Sequence, residues 1–173
     1  LNPKGSHEQG SIFLELFMQT LVGNEAENIE EVDNKEEDII NLKEFLTKFS
    51  CSKSSLKLEK SIGKIKNTEE TNEGGRIDIF LRDENNKVLI IENKIYATDQ
   101  ENQLLRYHNF LKRCSKNKND TLLLYLSLDG EVHDIDKTTG GEEITFFTIS
   151  YADFILNWLT DCRHKVIDKS LIR

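Results

Sequence analysis

The chain has 173 residues, 37% hydrophobic and 31% charged, with a formal net charge of −8. That length suits one domain of roughly 100–200 residues with a core of its own. The acidic balance excludes a non-specific nucleic-acid coat, which needs Lys and Arg against phosphate. It leaves room for an enzyme with a locally positive cleft or with carboxylates that hold a metal.

Ser11 to Leu21 reads as a first helix, with Ile12, Leu16 and Gln19 on one face and Phe13, Phe17 and Leu21 beside it. Asn24 to Glu37 is acidic and apolar-poor, suiting a loop or a solvated helix start. Asp33 and Glu36 have capping-box spacing, and a second helix then runs to about Phe49 with Ile39, Leu42, Leu46 and Phe49 on one stripe. Leu56 to Ile62 is a strand candidate. Thr68 to Gly75 is polar and ends in Gly-Gly, a turn. Arg76 to Leu81 and Val88 to Ile95 are strands joined by the turn sequence Asp83-Glu84-Asn85-Asn86, hence a hairpin. Thr98 and Glu101 form a capping box that opens a helix from about Asp99 to Cys114. Leu122 to Leu128 and Ile144 to Ile149 are strands. Ser150 and Asp153 cap a last helix carrying Phe154, Ile155, Trp158, Leu159 and Cys162. The expected order is αα-βββ-α-β-β-α, a mixed sheet flanked by helices.

No apolar run approaches the roughly 20 residues of a membrane span, and no secretory signal opens the chain. Cys51, Cys114 and Cys162 lack zinc-ligand spacing and read as reduced thiols of a cytoplasmic protein. The chain begins at Leu1 rather than Met. It reads as a single domain, 1–173, cut from a longer protein, with an upstream helix and the native end expected outside it.

The chemistry lies between Gly75 and Tyr107. Residues two apart on a strand share a face, so Glu92 and Lys94 project together with Asn93 opposite. Both charges interrupt an apolar strand, which costs stability unless they are paired or bound. Asp78 sits in the same setting between Ile77 and Ile79, and the hairpin brings it near Glu92. Two clustered carboxylates repel unless a cation or proton intervenes. The strand pattern alone also fits a buried Glu92–Lys94 neighbour pair, or an edge strand with outward charges. Gln103 and Tyr107, at i and i+4, share a helix face; that also fits an amphipathic helix with Tyr in the core. Arg106 reads as a solvated charge.

Gly75-Arg76-Ile77-Asp78-Ile79, Ile91-Glu92-Asn93-Lys94-Ile95 and the run Asp99 to Tyr107 together resemble the PD-(D/E)XK nuclease superfamily. More narrowly they resemble a bacterial branch with a Glu-Asn-Lys core and a following Gln-x-x-x-Tyr helix. Tyr125 to Gly130, Ile149-Ser150-Tyr151 and Trp158-Leu159 extend the resemblance, with an echo at Gly10 to Phe17. It implies an α/β, restriction-endonuclease-like mixed β-sheet flanked by helices, and hydrolysis of phosphodiester bonds, with DNA as partner. It implies that Asp78 and Glu92 hold Mg²⁺ or Mn²⁺, with the backbone carbonyl of Asn93 as a third ligand. Lys94 would orient the nucleophile or offset developing charge, and Gln103 and Tyr107 would touch Lys94, a water or the nucleic-acid backbone. Glu15 and Glu59 are further acidic candidates, and the resemblance allows a homodimer. The rival expectation is a catalytically inactive nuclease-fold module that binds nucleic acid or protein.

Overall fold

The computed structural model describes residues 1–27, 35–68 and 70–170. Its strands are β1 (Ser55–Ser61), β2 (Lys66–Asn67), β3 (Asn72–Glu73), β4 (Arg76–Arg82), β5 (Val88–Lys94), β6 (Thr121–Ser127) and β7 (Phe147–Ser150). Its helices are α1 (Ile12–Glu27), α2 (Lys35–Lys48), α3 (Gln103–Cys114), α4 (Ile135–Thr139) and α5 (Leu156–Ser170). Five strands form one mixed sheet in the order β1-β4-β5-β6-β7, and β2 with β3 make a separate ribbon. β1, β4 and β5 are antiparallel neighbours; β5, β6 and β7 are parallel, with α3 crossing between β5 and β6. This is the helix-flanked mixed sheet that the sequence predicts.

Central strand β5 is buried on both faces, so its apolar run is nearly continuous. Leu89 and Ile91 pack with Leu14, Phe17 and Leu21 of α1 and with Leu42 and Phe45 of α2. Val88 and Ile90 face the other way, against Leu104, Tyr107 and Leu111 of α3. The period of two therefore puts Glu92 and Lys94 on the α3 side. Register is set by the turn after β4. Asp83 Oδ1 accepts the N–H groups of Asn85 and Lys87, its Oδ2 accepts that of Ser50, and Arg82 pairs with Val88. On the other face Trp158 Nε1 donates to Phe13 O at 2.8 Å, tying α5 to α1.

Several boundaries differ from the expectation. α1 runs on to Glu27, and its buried side is Leu14, Leu16, Phe17, Met18 and Leu21, while Gln19 is exposed. The Asp33 cap lies outside the described residues. Thr98 and Glu101 form no capping box: α3 starts at Gln103, after Asn102 in the left-handed conformation, because Asp99 is drawn inward. β7 begins at Phe147 rather than Ile144, and α4 and the β2–β3 ribbon were not expected. Ser150 does cap the last helix, accepting from Asp153 N at 3.0 Å, although that helix opens with a wide turn over Tyr151–Ile155 and leaves Leu159 half exposed. Among the described residues, no helix is long and apolar enough to cross a membrane.

Candidate active site

The site is a fork between two strands. β4 and β5 pair from Arg82–Val88 to Ile79–Ile91 and no further, although β5 continues to Lys94 alongside β6. Beyond the last pair, the N–H of Asn93 is met by a side chain instead of a strand: Asp78 Oδ2 accepts it at 2.9 Å. That bond aims Asp78 into the opening, where Asp78, Glu92, Asn93, Lys94 and Gln103 line a cleft of about 430 Å³. The Asn93 side chain points to the opposite face of the sheet, and Tyr151 donates to its Oδ1 at 3.0 Å.

Helix α3 supplies the wall. Lys94 Nζ donates to Gln103 Oε1 at 2.8 Å, lies 3.1 Å from Glu92 Oε1, and reaches Thr98 O at 3.4 Å. Gln103 Nε2 donates to Glu92 Oε1 at 2.7 Å and to Tyr107 Oη at 3.1 Å. Tyr107 in turn donates to Arg76 O at 2.6 Å. These bonds leave the Gln103 amide one orientation, oxygen toward Lys94 and nitrogen toward Glu92. Gln103 thus lines the cleft, and Tyr107 stands behind it in the core.

Glu92 Oε2 is the exception in this network. It is buried and has no hydrogen-bond partner among the described residues. Such an atom costs stability unless a proton, a water or a cation satisfies it. Burial, then the neighbouring Asp78 charge, push the Glu92 carboxyl up to about 7, against the opposing pull of Lys94. The residues present fit a hard divalent cation: one buried carboxylate oxygen without a partner, and a second carboxylate whose other oxygen makes no hydrogen bond among the described residues. Among these residues no three of His, Cys, Asp and Glu gather as a metal cluster. Two carboxylates and a backbone carbonyl are enough for Mg²⁺, which keeps several waters.

The further acidic candidates are not gathered here. Glu59 lies on β1 with its carboxylate on Arg76 Nε, largely exposed at the rim. Glu15 accepts from Ser11 Oγ at 2.6 Å on the exposed side of α1. It also sits near Cys51, whose thiol is pushed up to about 11 by burial first and by Glu15 second. Arg106, expected in solvent, is 1% exposed. It donates to Gly74 O at 3.0 Å, to Asn67 Oδ1 and to Glu101 O, binding the β2–β3 ribbon to the loop before α3. Gly74 has φ +82°, and any Cβ there would fall 2.0 Å from Lys64 O. Asp99, also missed, is buried and accepts from Tyr125 Oη at 2.9 Å and Asp134 N at 3.1 Å. The Gly74-Gly75 pair was the one legible signal for this packing.

A family model described as the PD-(D/E)XK nuclease superfamily matches residues 1–172. Comparison with curated proteins and with solved structures gives no match.

Proposed function

The chain belongs to the PD-(D/E)XK nuclease superfamily, and from that premise we propose that it hydrolyses phosphodiester bonds of DNA with Mg²⁺ or Mn²⁺ at the fork of β4 and β5. The observation that carries this reading is the unpartnered, buried Glu92 Oε2 in the cleft shared with Asp78. Asp78, Glu92 and the carbonyl of Asn93 would hold the cation. When bound, such an ion supplies acidity to water and positive charge to a phosphate oxygen.

The protein's own groups do the rest. Lys94 is held at the cleft by two short contacts, to Gln103 and Glu92, and by a long one to Thr98. An ammonium has three donors, so the long bond is the one a water or phosphate oxygen displaces. Lys94 then orients the attacking water or offsets charge on the phosphorane, without reorganising as that charge develops. Gln103 and Tyr107 are positioning residues that hold Lys94 and Glu92 in register. DNA is assigned over RNA on family association alone. A catalytically inactive module that binds nucleic acid or protein is the second reading, and the net charge of −8 favours it.

The test is cleavage of a plasmid and of a single-stranded oligonucleotide in Mg²⁺, Mn²⁺ or chelator, with Mn²⁺ binding followed by calorimetry. Wild type should bind Mn²⁺ and cleave, and Asp78→Ala should lose both. Mn²⁺ binding by wild type with neither substrate cut would move the conclusion to the inactive module. Undiminished Mn²⁺ binding by Asp78→Ala would refute the cation site.

A further inference from the structure

A second cleft, about 350 Å³, adjoins the first, and the two meet at Ala97, which lines both. Each falls in the lower part of the range for ligand sites, roughly 300–1,000 Å³. The pair suits consecutive units of an extended ligand better than one large ligand. The second cleft is lined by Tyr96, Thr98, His133 and Lys137. Tyr96 is 92% exposed, although it stands only two residues beyond buried Lys94. Its Cα lies at most about 7 Å from that of Lys94. Across the first cleft, Ile65 is also exposed, at 54%. Apolar side chains therefore flank a strongly polar site on both sides. The acids of the second cleft are engaged: Asp99 accepts from Tyr125 Oη and Asp134 N, and Asp134 accepts from Lys137 N. Among the described residues the Lys137 ammonium is in no ion pair.

We propose that this second cleft holds the nucleotide next to the scissile phosphate, with Tyr96 stacked on its base and Lys137 and His133 against its phosphate. The inference rests on the nuclease reading of the first cleft and adds a substrate class to it. Inside a duplex each interior base is already stacked on both faces, so away from a blunt end a loop tyrosine can stack only on a base that is out of the helix. The preferred substrate is therefore an unpaired strand: single-stranded DNA, or a duplex with an unpaired end.

The experiment is a binding titration of a short single-stranded oligonucleotide carrying 2-aminopurine, in Ca²⁺, against a blunt duplex of the same sequence. Wild type should bind the single strand more tightly and change its 2-aminopurine fluorescence. Tyr96→Ala should bind it roughly tenfold more weakly and lose that change, while Tyr96→Phe and Tyr96→Trp keep both. Lys137→Ala should lower the salt dependence by about one phosphate contact. Tyr96 is almost wholly exposed, so its removal leaves the core untouched. Equal affinity of Tyr96→Ala and wild type, equal affinity for blunt duplex and single strand, or no binding by wild type would each overturn the subsite. Tyr96-dependent binding without cleavage would support the subsite while the nuclease reading fails. Cleavage that is indifferent to Tyr96, with equal binding, would sink the subsite alone.

Discussion

Lys87 and Lys94 sit at the two ends of β5, and both are buried. Lys87 is closed off: its Nζ donates to Asn119 O at 2.9 Å and to Asp120 Oδ1 at 2.6 Å, and lies 5.7 Å from the centre of the Phe45 ring. The hydrogen bond from Lys87 holds the Asp120 carboxyl below its ordinary range. Lys94 also has a carboxylate, but burial pushes that carboxylate, Glu92, up, and one of its oxygens has no partner among the described residues. Two lysine–carboxylate pairs, one at each end of β5, thus have opposite electrostatics. The pair that satisfies itself holds the fold together. The pair left incomplete is the one to which the proposed cation site belongs, and burying it in that state costs stability.

The largest effect that tests this contrast is on catalysis. Lys94→Ala should lower metal-dependent cleavage by about 10²–10³ or more while the circular dichroism spectrum stays native. Its ammonium also holds the Glu92 carboxyl down, so part of the loss should return at higher pH, and the part that does not return measures the role of Lys94 toward substrate. Cleavage by Lys94→Ala at the wild-type rate would erase the distinction between the two lysines.

Next is the pH dependence of metal binding. A cation must displace the proton from Glu92, whose carboxyl sits at about 7. Mn²⁺ affinity measured by calorimetry should rise about tenfold per pH unit below pH ~7, then level off. Glu92→Gln should weaken binding and flatten that slope. The stability sign follows from the same shift. The folded value lies above the ordinary 4.5, so between about 4.5 and 7 the folded chain binds more protons than the unfolded one. Metal-free stability should fall as pH rises across that window, by roughly 3 kcal/mol at most, and Mn²⁺ should restore it. A slope unchanged in Glu92→Gln would place the titrating group elsewhere.

The smallest effect belongs to the closed pair. Lys87→Met keeps an apolar stem over Phe45 but strands Asp120 and Asn119 O. Because Asp120 is about a third exposed, the loss should be about 1–2 kcal/mol in urea unfolding, less than for a fully buried pair. Cleavage per folded molecule should not change. A large loss of activity in Lys87→Met would mean that the two ends of β5 are coupled.

The strand and helix periods were enough to place Glu92 and Lys94 together on one face, to set Asn93 opposite, and to align Gln103 with Tyr107, because those relations depend only on backbone geometry. The turn at Asp83–Asn86 was legible for the same local reason. Tertiary structure alone decided who meets whom at depth. Arg106 reads as a surface charge on its helix, and its burial depends on Gly74, more than thirty residues away in a ribbon that folds back over it. Thr98 and Glu101 have capping-box spacing with Asp99 opening the helix, yet Tyr125 and Asp134 hold Asp99 inward and α3 starts at Gln103. The fork itself exists because β4 pairs with β5 only from Ile79 onward, so that a carboxylate rather than a strand meets the N–H of Asn93. Period specifies which face a residue takes; whether that face is closed, paired or left open for a ligand is settled by segments distant in the chain.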